Sequence, residues 1–499
     1  MSPTPATRDR RTMSAELHPG AGARGGGARL TRRRLLVGAG AMAGAGVALP
    51  SAAGAKRRRP RRRVVVVGGG LAGLTAAYEL HRAGWDVAVL EARRRVGGRV
   101  HTLRGFAGGQ TAEAGGEYID TSHTAMRGYA RHFGLALDDL RRVGSDNPAA
   151  TYFAGRLARR STVQTPAVQR EMDRFDRAIA ALADRLNPTD PVAAGASLDH
   201  RSVASFLDGL RLSPTARMLI EHDTLGDDYT VESDRLSLLA VAAANSVGPD
   251  IPESGIEAFR IRGGNDRLPR ALARAISGHV HLGAPVDHVS WSREGVRVRA
   301  AGETLSASRC VLATPLPPLR RVSFSPRLPG RLAAAIAELQ YGVGTKTLLQ
   351  YANRFWLRAG FSGDTLTDLG ISTTWDATNA QRGGRGILLL YTVAGPGRRF
   401  QELPDHQRLA EAAAQVQTIY PGASGLLGAA TTVAWAKEPY TGGTYTAFAP
   451  GQVDRFWRVL RRPVGALHLA GEHTHEYWGY MEGAVRSGRR AAARISAGG

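Results

Sequence analysis

Lysine is almost absent: only Lys56, Lys346 and Lys437 occur, so 63 of the 66 basic side chains are arginine. An arginine excess of this degree follows a genome's base composition, so the formal net charge of +23 does not call for a nucleic-acid partner, and none is expected. A lysine kept where arginine is the default raises a chemical question, because arginine stays charged at every accessible pH whereas burial tunes a lysine. Cysteine is scarcer still. Cys310 stands alone, which excludes an intrachain disulfide, and its neighbours Val311 and Leu312 read as a buried strand, not as the setting of a nucleophile. There is no GxSxG elbow, no P-loop GK[ST] and no repeat at a solenoid or propeller period. With 43% hydrophobic residues over 499 positions, the chain is too apolar for disorder and long enough for two or more cores.

Long apolar runs are missing as well. Leu35 to Leu49 is uncharged but only 15 residues long and rich in glycine, short of the ~20 needed to span a bilayer. It follows Thr31-Arg32-Arg33-Arg34 and precedes the small residues Ala53-Gly54-Ala55. That order of basic, apolar and small-residue regions is that of a cleaved export signal, and the paired arginines resemble a twin-arginine signal, so residues 1–55 are expected to engage that export machinery. Removing them leaves +17 on the mature chain, seven of those charges in the arm Lys56 to Arg63, which reads as a solvated N-terminal arm, with adhesion to an anionic polymer or membrane surface as the alternative. The expected location is outside the membrane, without a stable span.

Val64-Val65-Val66-Val67 reads as a fully buried parallel strand. Gly68, Gly70 and Gly73 follow in GxGxxG register, serving the tight turn, the approach of backbone to a pyrophosphate and the packing of helix on strand. Leu74 to Ala83 continues as a helix, Gly84 stops it, and Trp85 to Leu90 forms a second strand ending at Glu91, placed to accept from ribose hydroxyls. Strand, glycines, helix, strand and acid in one register indicate dinucleotide binding.

Leu90 to Arg99, with Arg93, the pair Gly97-Gly98 and Arg99, resembles the second signature of the flavin amine oxidase family. Gly115-Gly116-Glu117-Tyr118 resembles that family's flavin-lining segment, and Val286-Asp287-His288-Val289 the strand beside the adenine. Near the C-terminus, Gly471-Glu472-His473-Thr474 and Trp478-Gly479-Tyr480-Met481 resemble its last cofactor segment. The resemblance implies noncovalent FAD, because Thr444 stands where animal monoamine oxidases carry a flavin-bound cysteine. It implies that Glu472 binds the ribityl chain and that the helix starting near Met481 aims its N-terminus at the flavin ring, where reduced flavin is anionic. Lys346 corresponds to the family's lysine near flavin N5, and Tyr445 and Tyr480 to the aromatic pair enclosing the amine. His468, His473, His475 and Glu476 match no zinc spacing, and no metal is expected.

The expected fold is a two-domain α/β flavoprotein: a discontinuous Rossmann-like FAD-binding domain (64–125, 256–335, 455–499) and a substrate domain with a helical part (126–255) and a mixed-sheet part (336–454). The implied reaction is oxidation of a primary amine to an imine, hydrolysed to aldehyde and ammonia, with oxygen leaving as hydrogen peroxide. L-amino-acid oxidation and an amine dehydrogenase with a protein acceptor stay open, although Glu117 and Tyr118 stand where several amino-acid oxidases carry a carboxylate-clamping arginine. A polyamine fits if Glu117, Asp227 or Asp228 meets its distal nitrogen. The oligomeric state does not follow from the sequence.

Overall fold

The four valines follow Arg63 to complete β1, Arg63–Val67, and each is buried, Val64, Val65 and Val66 completely. Val64 and Val66 enter a core with Leu74, Leu80 and Val485 on one side of the sheet. Val65 and Val67 enter another with Cys310, Leu312 and Trp457 on the opposite side. A strand covered on both faces has no polar side to alternate with, which is why the run is unbroken. Each such valine contributes about 1.5–3 kcal/mol of burial before conformational entropy is counted. The computed structural model describes residues 62–143, 146–247 and 255–498, all within the compact unit Arg59–Gly499. The export segment and nearly all of the basic arm lie outside the described residues.

Around β1 stands a five-stranded parallel sheet in the spatial order Leu467–Leu469, Arg309–Leu312, β1, β2 (Asp86–Glu91) and Val280–Leu282. Chain segments hundreds of residues apart thus build one sheet. Between β1 and β2 runs α1, Leu71–Arg82, which packs on the C-terminal helix Met481–Ala497. A Cβ at Gly488 would stand 2.3 Å from the Ala72 carbonyl, so the two helices meet backbone to backbone. The helix begins three residues before the expected Leu74, since Gly70 already serves as its N-cap and the Leu74 N–H bonds the Gly70 carbonyl at 2.9 Å.

A second, seven-stranded sheet is mixed. Its order is Leu427–Ala434, Gly344–Tyr351, Gly386–Val393, Thr373–Asp376, Thr365–Thr367, Ala150–Phe153 and Arg156–Arg159. Only the pairing of Thr365–Thr367 with Ala150–Phe153 is parallel. Every residue of Gly344–Tyr351 is buried, and Lys346 lies opposite Tyr391 on one neighbour and Val433 on the other. Helices cover this region, among them Pro166–Ala183, whose Thr165 hydroxyl accepts from the Val168 N–H, and Val203–Gly209, capped by Ser202. Val286 opens a strand of a smaller four-stranded sheet. Among the described residues no helix is long and apolar enough to cross a membrane.

Candidate active site

A cavity of about 1090 Å³ extends from the turn after β1 to the Lys346 strand. At its first end each glycine has a separate steric duty. Gly68 has φ +107°, and a Cβ there would meet the Ala313 carbonyl oxygen at 2.9 Å. At Gly73 a Cβ would lie 2.0 Å from the Gly68 oxygen. A Cβ at Gly70 would touch no protein atom within 4 Å, because that position opens into the cavity. The N-terminus of α1 has no side-chain cap, so its unpaired N–H groups and partial positive charge are available to a phosphate. Glu91, buried at the end of β2, accepts from the N–H of Gly69 at 2.7 Å and of Arg93 at 2.8 Å, which fixes its carboxylate on the cavity wall. This cradle fits a dinucleotide.

Next to it the Gly97 N–H bonds the Gly69 carbonyl at 2.8 Å, drawing the Gly97-Gly98 turn against the glycine loop. Arg99 then joins distant segments: its guanidinium donates to Glu472 Oε1 and to the Thr444 carbonyl, both at 2.9 Å. Glu472 also accepts from the Gly479 N–H at 2.9 Å. Burial alone would raise its carboxyl pKa, but Arg99 and the Gly479 bond outweigh burial and hold it below the usual range. Arg93 reaches the Thr441 hydroxyl at 2.7 Å. At Gly115 a Cβ would fall 1.7 Å from the Arg99 carbonyl, so only glycine admits that crossing, and at Gly116 it would lie 3.0 Å from the flexible Met481 side chain, which would have to shift. Val286, Tyr118 and Met481 line the same cavity. Glu482, one residue on, is turned away and accepts the N–H groups of Ala125 and Met126 at 2.9 and 2.8 Å.

Lys346 Nζ lies 2.8 Å from Glu117 Oε2 and 3.1 Å from the Gly115 carbonyl, and 5.2 Å from the Trp375 ring centroid. The other Glu117 oxygen accepts from Arg260 Nη1 at 3.0 Å and Trp375 Nε1 at 3.2 Å. Glu117 therefore differs from the free cavity carboxylate that the sequence allowed: it is already paired with two cations, and a distal substrate nitrogen would have to displace them.

Tyr445 and Tyr480 both line the cavity and flank Gly479, where a Cβ would stand 3.5 Å from the Tyr445 ring. Tyr445 donates to the Asp227 carbonyl at 2.7 Å. Tyr480 is 43% exposed within the cavity, its ring edge-on to buried His123 at 5.3 Å. Burial raises both phenols well above their ordinary pKa, so they are neutral.

Beyond the two tyrosines stand Asp227, Asp228 and Glu257. Asp228 and Glu257 are solvent-exposed toward the cavity; desolvation by the surrounding protein, and then Asp223 and Asp120, raise Asp228 to about 7. Desolvation by the cavity walls, and then Asp228, Glu117 and Asp120, raise Glu257 to about 8. Asp227 is raised well above its ordinary value by burial, against one hydrogen bond from Thr373. None of the three has a cationic partner among the described residues, whereas each arginine lining the cavity is engaged: Arg93 with Glu438, Arg99 with Glu472, Arg160 with Asp223, Arg354 with Asp376, and Arg321 with the Pro439 carbonyl. Glu257, Arg260, Trp375 and His123 carry no sequence signature. Two backbone features mark the acidic end only in three dimensions: Glu257 has φ +52°, and a π-helical turn, Ile220–Gly226, delivers Asp227 and Asp228.

Residues 71–496 match the family model for flavin containing amine oxidoreductases. Relatives include an L-amino-acid oxidase of Pseudechis australis, 28% identical, with 86% of this chain and 85% of the relative covered. Another is an L-amino-acid oxidase of Gloydius blomhoffii, also 28% identical, over 86% of this chain and 87% of the relative. Among solved structures, putrescine oxidase bound to putrescine has a TM-score of 0.79 at 28% identity, covering 88% of this chain and 99% of that one. Cyclohexylamine oxidase from Brevibacterium oxydans has a TM-score of 0.78 at 25% identity, over the same shares. The cradle accordingly takes FAD, and holds it noncovalently: Cys310, the chain's single cysteine, is wholly buried in its strand, and Thr444 hydrogen-bonds Thr230 at 2.6 Å. With glycine cradle, Arg99–Glu472 link and Lys346 strand around one cavity, the chain belongs to the flavin containing amine oxidoreductase family.

Proposed function

We propose that the enzyme oxidises a primary amine whose chain ends in a second ammonium, a diamine or polyamine, with oxygen as acceptor. The observation that carries this reading is a pairing imbalance in the cavity: among the described residues Asp227, Asp228 and Glu257 lack cations, while four of the five lining arginines are paired with carboxylates and the fifth, Arg321, donates to the Pro439 carbonyl. A carboxylate substrate would need a free guanidinium there, and an ammonium needs what is present. Bound FAD would supply the redox chemistry, a two-electron oxidation of the amine's α-carbon that loses its hydrogen as a hydride equivalent, with oxygen as final acceptor.

The chain's own residues do the rest. Tyr445, pinned by the Asp227 carbonyl, and Tyr480 hold the reacting amine between two neutral rings, which favour a soft, desolvated nitrogen. Asp228 and Glu257 take the distal ammonium and so set the distance at which the reacting carbon presents itself. Lys346 stands on the cavity wall as the cation that assists oxygen. The sequence relatives favour L-amino acids as the second reading. Comparing kcat/KM for an α,ω-diamine, the monoamine of equal chain length and an L-amino acid separates them: a preference for the diamine over the monoamine of about tenfold or more, the value of one charge-assisted contact, supports the proposal, and equal values, or a preference for the L-amino acid, contradict it.

We also assign residues 1–55 to export. Replacing Arg32 and Arg33 by lysine is expected to leave the precursor unprocessed inside the cell, and undisturbed export of that variant would remove the assignment.

A further inference from the structure

Glu117 sits in the flavin-lining segment, yet its carboxylate is taken up by protein. Oε2 meets Lys346 Nζ at 2.8 Å; Oε1 meets Arg260 at 3.0 Å and Trp375 Nε1 at 3.2 Å. Arg260 is held in turn by the Ala377 carbonyl at 2.9 Å and by Asn379 at 2.5 Å. Lys346 has a second acceptor in the Gly115 carbonyl, 3.1 Å away. All of these side chains are buried, apart from Trp375 and Asn379, which are partly so. One anion therefore stands between two buried cations, and the group as a whole is positive.

Stability does not account for this arrangement. A buried ion pair is often no better than well-packed apolar residues of similar volume, because desolvation offsets the attraction. A glutamine would supply the shape and one acceptor but would leave two buried cations facing each other. The requirement at position 117 is therefore for charge. Consistent with that, burial would raise the Glu117 carboxyl, and Lys346 and Arg260 more than reverse it.

We infer that Glu117 is a positioning residue that holds Lys346 as an ammonium at a fixed point of the cavity wall, with Arg260 keeping Glu117 ionised, so that a net positive charge is built in where negative charge accumulates when reduced flavin meets oxygen. This rests on the reading of Lys346 as the residue that assists oxygen. A preorganised cation acts on developing charge without reorganisation cost, and the two acceptors on Lys346 supply that fixed placement.

The chain's three lysines make the arrangement directly observable. Holoprotein labelled with ¹⁵N-lysine gives at most three side-chain ammonium signals, and an ammonium held by two buried acceptors exchanges its protons slowly. Lys346→Met identifies which signal is Lys346. Glu117→Gln is expected to abolish that slowly exchanging signal and to slow reoxidation of the reduced flavin by about tenfold, short of the ~10²–10³ of an electrostatic donor removed outright, since Lys346 itself is kept. Anaerobic reduction by substrate is expected to change much less. Glu117→Asp, which restores the charge with shorter reach, is expected to recover part of both effects. A retained ammonium signal in Glu117→Gln, or equal slowing of both half-reactions, overturns the inference. Should Glu117→Gln fail to fold, Glu117→Asp decides alone, by changes in the same directions or none. If Lys346→Met leaves reoxidation untouched, the underlying reading of Lys346 fails instead; if only Lys346→Met slows it, the role of Glu117 fails.

Discussion

Asp228 and Glu257 are where chemistry and pH meet. Both side chains are exposed to the cavity, and desolvation by the protein around that cavity comes first among the causes that raise them, to about 7 and about 8, followed by neighbouring carboxyls. A carboxyl so raised is neutral at pH 6 and ionised at pH 9, and a bound ammonium stabilises the ionised form. The preference for a diamine over the matched monoamine should therefore grow as pH rises through that window, after rates are corrected for each substrate's own amine pKa values, since the second ammonium lowers that of the diamine. Asp228→Asn, neutral at every pH, should lower kcat/KM for the diamine by about tenfold or more, as expected for a lost charge-assisted bond, and leave the monoamine within about threefold. Steady-state rates on both substrates from pH 6 to 9 check this. A pH-independent preference, or equal losses on both substrates, would remove these carboxyls from substrate binding.

Among the elements, β1, α1 and β2 show how the same residue type serves two ends. Gly73 faces the Gly68 carbonyl at a hypothetical 2.0 Å, whereas Gly70 faces the cavity. Gly70 also has φ −78°, a conformation open to any residue. Gly70→Val should accordingly fold with little loss but purify colourless, because its side chain fills the cofactor cradle. Gly73→Ala should lose several kcal/mol, in the range of overpacked or strained core positions, and give little folded protein. Absorbance at the flavin bands and thermal melts of both variants read out the difference; a yellow Gly70→Val would contradict the cradle. This unit is legible in the amino-acid sequence alone, since strand, turn, helix and acid are contiguous and each is set by local sterics. The same holds for Cys310, a buried strand thiol as expected. Lys346 is singled out by its rarity, but its partners are not: Glu117 and Arg260 come from segments with no shared pattern. The acidic end is illegible for the same reason, joining a π-helical turn to a left-handed Glu257. Even the start of α1 falls earlier than its residue types suggest, because glycines that break helices elsewhere are tolerated where packing demands them.

For the whole molecule, the parallel sheet gathers β1, β2 and strands from near residues 280, 310 and 468, so the cofactor end of the cavity is closed only when chain ends and middle have met. The mixed sheet supplies Lys346 and Trp375, and the helical region supplies Asp227 and Asp228. One cavity of about 1090 Å³ thus brings a dinucleotide cradle, the Lys346 wall and the carboxyls Asp227, Asp228 and Glu257 together. The most direct measurement is anaerobic mixing of the yellow holoprotein with an α,ω-diamine, the matched monoamine and an L-amino acid, followed by readmission of air. The account predicts fastest bleaching by the diamine and peroxide on reoxidation. Rapid bleaching by the L-amino acid, with the diamine inert, would contradict it.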